Sequence, residues 1–485
     1  MNSERIVKVA LIGVGALLVG YAVSDHPLYG GEPGFGQSQA AIAAAGGALA
    51  LCCLLSAEAA GRVLLVALTS LVMLGIAEIS GEILLGPRYR PIFQPDDRLI
   101  FKFIPGRHSV MTRSAVNGGV TVAHRINTDG FRGEELQPAG SGLRVVVYGD
   151  SFIHAAYTAD EATFTAQLGR LLESRLSGKV EAVNAGVSSY GPDQISLKME
   201  GELPRLRPDL AVVAIFAGND YGDLLRDKMF RLGPDGALLE NRWALDPKVR
   251  TWFELGQRES ILKRAARGTL ASLRRAHGGR EAGSEGARYE DFTDIDALLA
   301  EAGREYRSFV VERNDIVTNT HLDYYSADVS LAPNGASARY KIALMEAVLR
   351  RIRDVAAASG VPLVFVFIPH PADVAGQYDD WKVDRVRFPD YDGRNQTAPL
   401  ERSARSLDVP FVSLYDAFRA ADASALYYHA GDDHWNDAGQ RLAAELVDRY
   451  VSDRRLLARA SPNRGLPSSG ARPSRDAVSA KAHGG

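Results

Sequence analysis

Arg144-Val145-Val146-Val147-Tyr148-Gly149-Asp150-Ser151 is an apolar run that stops on two turn residues and a hydroxyl. A stretch that is apolar at every position, rather than at alternate ones, belongs to a strand covered on both faces. Similar runs recur downstream at 182–183, 210–216, 363–368 and 411–414, with amphipathic segments near 163–175, 193–206, 339–358 and 437–451 between them. Apolar strands alternating with helices predict an α/β fold, a three-layer α/β/α sandwich around a parallel sheet. The first strand then delivers Ser151 to the carboxyl edge, where open α/β sheets hold their ligands.

Gly149-Asp150-Ser151 alone says little, because all three are ordinary turn and helix-cap residues. It is not a Gly-x-Ser-x-Gly nucleophile elbow, since position 153 is Ile. Its weight comes from two further blocks at the ends of later strands: Asn184-Ala185-Gly186, then Gly218-Asn219-Asp220. A serine attacking a carbonyl creates an oxyanion, and backbone N–H groups at Ser151 and Gly186 with the Asn219 amide could stabilise it. Taken singly, Gly186 reads equally well as a tight turn and Asn219 as a loop cap. A base is offered by Gly431-Asp432-Asp433-His434-Trp435-Asn436, just before the last amphipathic segment. A loop histidine there can reach the sheet edge, and a carboxylate one or two residues earlier can hold its other ring nitrogen. His429, Asp432, Asp433 and His434 could also be drawn as metal ligands, but no His-Glu-x-x-His helix accompanies them and the serine, glycine and asparagine blocks would stay unexplained. No metal is therefore expected. His154 and His370, at other sheet edges, read as pocket-lining or structural histidines.

In this order the blocks resemble those of the SGNH/GDSL hydrolases, over roughly 143–451 without an internal insertion. The resemblance implies an esterase fold in which Ser151, Gly186, Asn219 and His434 are the four catalytic-site residues. Two departures stand out. The usual Asp-x-x-His is absent, because Gly431 lies three before His434, so the acid falls on Asp432, an Asp-x-His form similar to alginate O-acetylation proteins. Asp433 is disfavoured, since the side chain adjacent to His434 should point away. The third block, commonly Gly-x-Asn-Asp, is compressed, with Gly218 directly preceding Asn219.

Upstream, three apolar runs at 6–23, 40–57 and 63–85 each approach the about 20 residues that cross a bilayer core. They read as a three-helix transmembrane anchor within 1–87. Arg5, Lys8 and Arg62 flank the cytoplasmic ends, while the loop 24–39 lacks Lys and Arg, which puts the catalytic part outside the cytoplasm, in the periplasm of an inner-membrane protein. Glu78 and Glu82, near the end of the third run, read as solvated carboxylates at the outer interface. A β-rich lead-in is expected over 88–142, packing on the hydrolase domain at 143–455 without contributing to chemistry. That domain is interrupted by a charged, helical insertion at about 226–338, with disorder expected near 278–286. The Ser-, Pro-, Gly- and Arg-rich residues 456–485 read as a disordered tail.

A net charge of −3 leaves no basic excess for a nucleic-acid partner. The two cysteines, Cys52 and Cys53, sit in an apolar run, so the soluble part has neither disulfide nor cysteine metal site. The expected activity is cofactor-free hydrolysis of an O-acyl ester, an O-acetyl group above all, on an extracytoplasmic glycan or lipid-linked sugar. The alternatives are O-acyl transfer to a polysaccharide with a polytopic membrane partner supplying the acyl donor, and a non-catalytic glycan-binding protein.

Overall fold

The structure, a computed structural model, describes residues 3–24, 35–114, 117–176, 178–241, 245, 247–276, 295–311, 326–374, 383–428 and 432–457. His429 and Gly431, the segment 278–286 and the tail from 458 lie outside them.

The chain begins with helices α1 (Ser3–Val23), α2 (Gln37–Leu51) and α3 (Ala57–Tyr89). Of the three spans expected, two reach the length: α1 with 21 residues and α3 with 33 are long and apolar enough to cross a membrane. The middle run is shorter because α2 stops after 15 residues, a 3-10 turn follows at Cys52–Leu54, and Ser56 starts α3 by accepting from the Ala59 amide. Fifteen residues rise only about 22 Å, less than a hydrocarbon core of about 30 Å. α1 and α2 cross where Gly15 and Gly46 meet; a Cβ on Gly46 would lie 2.8 Å from the Gly15 carbonyl, so glycine sets the approach.

Two antiparallel hairpins follow, β1 (Phe93–Asp96) with β2 (Ile100–Phe103), and β3 (His108–Thr112) with β4 (Thr121–Arg125). Next come β5 (Leu143–Tyr148), α4 (Ser151–His154), α5 (Phe164–Leu176), β6 (Val180–Asn184), α6 (Pro192–Leu206), β7 (Leu210–Phe216) and α7 (Asp220–Asp227). The insertion carries the hairpin β8 (Phe230–Leu232) and β9 (Leu238–Glu240), then α8 (Pro247–Arg258), α9 (Ile261–Ala276), α10 (Ile295–Tyr306) and α11 (Ala327–Leu331). The fold resumes with α12 (Ala336–Ala358), β10 (Leu363–Ile368), α13 (Pro371–Val374), α14 (Thr397–Ser406), β11 (Phe411–Ser413), α15 (Tyr415–Ala420) and α16 (Asp437–Asp453).

The central sheet is parallel throughout, in the order β11-β10-β7-β5-β6. Alternate side chains point to opposite faces. Val146, Tyr148, Val213 and Phe365 pack beneath α6 and α12, against Leu203 and Leu344. Val145, Val147, Val212 and Val364 pack against Leu168 of α5 and Val447 of α16. The parallel α/β architecture expected from the uninterrupted apolar runs is present. The chain leaves β5 for β6 on one side and returns to β7 on the other, so strand order reverses between β5 and β7, a topological switch point that opens a crevice at the carboxyl edge.

The insertion does not stand apart from the amino-terminal helices. Glu78 of α3 accepts from the Ser260 hydroxyl at 2.8 Å and the Ile261 amide at 2.6 Å, capping the start of α9. Arg90 donates to the carbonyls of Gln257 at 2.9 Å and Glu259 at 2.7 Å, and also pairs with Glu82. Glu78, read as solvated, is thus a docking group, whereas Glu82 stays exposed and pairs with Arg90.

Candidate active site

Asp150 opens α4 by accepting from the Phe152 amide at 2.9 Å, which sets Ser151 on the first position of a single helical turn beyond β5. So short a helix leaves most of its carbonyls without intrahelical donors. They are taken by side chains from elsewhere. Asn184, the last residue of β6, donates from Nδ2 to the Ile153 carbonyl at 2.7 Å. Arg132, only 4% exposed, donates to the carbonyls of His154, Ala155 and Thr158 and pairs with Asp160 at 3.0 Å. Arg132 comes from the lead-in and bridges to Asn184 through the backbone. The lead-in, expected only to pack, thus holds the turn that carries Ser151.

His434 Nε2 lies 2.7 Å from Ser151 Oγ, and His434 Nδ1 lies 2.8 Å from Asp432 Oδ1, which also accepts from the His434 amide at 3.1 Å. The three groups form a line of hydrogen bonds from hydroxyl to carboxylate. Asp433 does not point away: its Oδ1 is 3.3 Å from the same Nδ1. Two acids therefore face one nitrogen. Burial opposes charge on His434, but the Asp432 hydrogen bond and the charges of Asp432, Asp433 and Asp150 outweigh it and raise the imidazole to about 10. Burial likewise opposes charge on Asp432, yet its bond to His434 holds it below the usual carboxylate range. The ring is steadied by Phe152, 5.0 Å away between centroids. Its loop is tied by the Tyr428 amide donating to the His434 carbonyl and by Asn436, which caps α16 through the amides of Ala438 and Gly439.

Gly186 and Asn219 stand on the loops after β6 and β7, at the same edge as Ser151. Gly186 has a packing reason of its own: a Cβ there would sit 2.5 Å from the His154 nitrogen. Its amide donates to Asn184 Oδ1 at 3.1 Å. Asn219 begins α7 but its side chain makes no cap hydrogen bond to that helix. Gly218 has room for no Cβ, which would fall on the Phe216 ring and 2.8 Å from His370 Cδ2. This crowding keeps position 218 a glycine.

The two remaining histidines are buried instead of lining an open crevice. His370 accepts from the Ala372 amide at 3.1 Å and burial drives it down to about 3. His154 is bonded to Ser188 and His124. Among the described residues, Asp432, Asp433 and His434 are the group whose ligand atoms lie close enough for a metal, but His434 Nδ1 is the atom already bonded to Asp432. Sequence reasoning missed Arg132, His124 and Ser188, which act across folds of the chain; the Asn184 amide lay inside the second block without its role being visible.

No family model and no curated protein matches the chain. Solved structures similar to it include a lipase/acylhydrolase from Enterococcus faecalis, 11% identical, covering 64% of this chain and 96% of that one, with a TM-score of 0.29. Another is an acetylxylan esterase from Geobacillus stearothermophilus, 12% identical over 65% and 96%, with a TM-score of 0.32. Scores and identities this low assign no family.

Proposed function

We propose that this chain is a membrane-anchored serine esterase of the SGNH/GDSL type that removes a small acyl group, an O-acetyl above all, from an extracytoplasmic glycan or lipid-linked sugar. One observation carries the reading: Ser151 Oγ, the His434 ring and Asp432 are joined at 2.7 and 2.8 Å at the switch point of a parallel sheet. His434 removes the Ser151 proton as Oγ attacks the acyl carbon, then gives it to the departing sugar oxygen. Water repeats the sequence on the acyl-serine and releases the acid. Asp432 holds the ring and stabilises the imidazolium. The Ser151 amide and the Asn219 side chain are the oxyanion donors in this reading, while the Gly186 amide is engaged by Asn184 Oδ1 and the missing side chain at 186 lets the loop pack on Ile153 and His154. The glycan and its acyl group follow from the family resemblance.

The docking of α9 on α3 favours a second reading, O-acyl transfer. In that reading the contact of Glu78 with Ser260 and Ile261 would keep the catalytic part beside the membrane, where a polytopic partner would present an acyl donor. The test is p-nitrophenyl acetate turnover by the full chain in detergent, with and without an added oligosaccharide, beside Ser151→Ala. Activity lost in the variant with free acetate as product supports the esterase, and acetylated sugar supports the transferase. Equal inertness of two folded proteins would remove both.

A further inference from the structure

A second chain of hydrogen bonds runs through the core behind Ser151 and ends at Ser188, on the loop after β6. Ser188 Oγ lies 2.5 Å from His154 Nδ1, His154 Nε2 lies 2.6 Å from His124 Nε2, and His124 Nδ1 lies 3.1 Å from Ser109 Oγ. His154 closes the turn that Ser151 opens, whereas His124 and Ser109 belong to β4 and β3 of the lead-in. Both rings are shut in, His124 at 0% and His154 at 1% exposure, with Phe103 packed 4.9 Å from the His154 ring and 6.2 Å from His124. Ser188 is only partly buried, on the loop two residues past Gly186 at the sheet edge that carries Ser151. The loop holds Ser189 at a φ of 63°, a left-handed conformation that fixes the turn at Ser188.

The chemistry of this chain is restrictive. Burial lowers both histidines, and neighbouring positive charge adds to it: Arg132 beside His124, and His124, Arg132 and His434 around His154. Both rings are therefore neutral, and each carries one N–H. Two facing Nε2 atoms at hydrogen-bond distance need one proton between them, since two would clash and none would repel. One ring's tautomer then dictates the other's, and the whole chain points one way. In one direction Ser188 donates inward to His154, and its outer side offers only lone pairs. In the other, Ser109 donates to His124, His124 to His154, and His154 Nδ1–H to Ser188, which frees the Ser188 hydroxyl proton for the crevice.

We infer that the chain runs in the second direction and that Ser188 is a further substrate-contacting hydrogen-bond donor, its hydroxyl aimed by His154 and His124 at the oxyanion formed on Ser151. This role rests on the esterase reading. Gly186 strengthens it, because its amide is already engaged with Asn184, and a hydroxyl two residues on supplies a donor on the same loop.

The test joins two readouts on the full chain in detergent micelles. Imidazole ¹⁵N shifts of histidine-labelled protein should show His154 protonated on Nδ1 and His124 on Nε2, a result that needs no turnover. Ser188→Ala should lower kcat for p-nitrophenyl acetate about 10²-fold with little change in KM, as removal of one oxyanion donor does, and Ser188→Thr, which restores the hydroxyl, should recover much of it. The opposite tautomers, or wild-type kcat in Ser188→Ala while Ser151→Ala is dead, would overturn the inference and leave the esterase reading standing. Activity retained in Ser151→Ala would overturn the esterase reading and the role of Ser188 with it.

Discussion

At the scale of single residues, the unusual feature is two carboxylates on one imidazole nitrogen. Asp432 is 2.8 Å and Asp433 3.3 Å from His434 Nδ1, and together they favour the imidazolium, raising its pKa from the ordinary 6.5 to about 10. A general base must be unprotonated to accept the Ser151 proton. The free protein is therefore expected to gain activity as pH rises, with the acid limb of kcat/KM displaced upward from 6.5. Removing either acid destabilises the imidazolium, so Asp433→Asn should shift that limb to lower pH while leaving the plateau within about tenfold. Asp432→Asn should shift it too, but the plateau itself should fall by about 10⁴, because the amide no longer holds the required tautomer. A pH–rate series on the three proteins decides it. A limb near 6.5 in the wild type, unmoved in Asp433→Asn, would show that Asp433 exerts no field on the ring.

At the scale of elements, the turn that carries Ser151 is a helix too short to satisfy itself, so its position depends on Arg132 and Asn184. Arg132→Met removes the donors to three carbonyls and leaves Asp160 without that partner. A loss of about 3 kcal/mol is expected, read as a shift in the urea midpoint of the detergent-solubilised chain. If placement of Ser151 depends on the clamp, kcat falls as well while KM holds. Unchanged kcat in a destabilised protein would make Arg132 purely structural. Glu78 offers a second case: Glu78→Gln weakens the cap on α9, expected to cost about 1 kcal/mol locally. Faster amide exchange confined to 260–265 would report it, and unchanged exchange there would sink the docking role. These contacts also show what the sequence leaves hidden. Strands β5, β7 and β10 were legible because burial on both faces writes itself as continuous apolar runs, and Ser151 and His434 were legible as loop residues beside them. Arg132, His124 and Glu78 carry no such mark, because each acts on a partner distant in sequence through a contact that only tertiary folding creates.

At the scale of the whole molecule, the proposed membrane anchoring bears on the site through the depth at which α3 would sit. The α3 helix has 33 residues, about 50 Å, longer than a bilayer core of about 30 Å. Its exposed apolar side chains continue through Ile79 at 66%, Ile83 at 72% and Leu84 at 76%, while Glu78 and Gly81 are turned to α9. One face of this segment thus suits lipid while another grips the insertion. The start of α9 would then lie at the depth of the membrane interface, and the α/β domain would be held against the bilayer instead of swinging on a tether. Spin labels placed singly at Ile79, Ile83 and Leu84, in a chain with Cys52 and Cys53 replaced by Ser and reconstituted in liposomes, measure this directly. All three are expected to be more accessible to oxygen, which partitions into lipid, than to a water-soluble nickel chelate. If the chelate reaches them more readily, α3 leaves the membrane before Glu78. The docked α9 then forms part of a stalk in water, and a substrate carried on a lipid would have to be lifted out to reach Ser151.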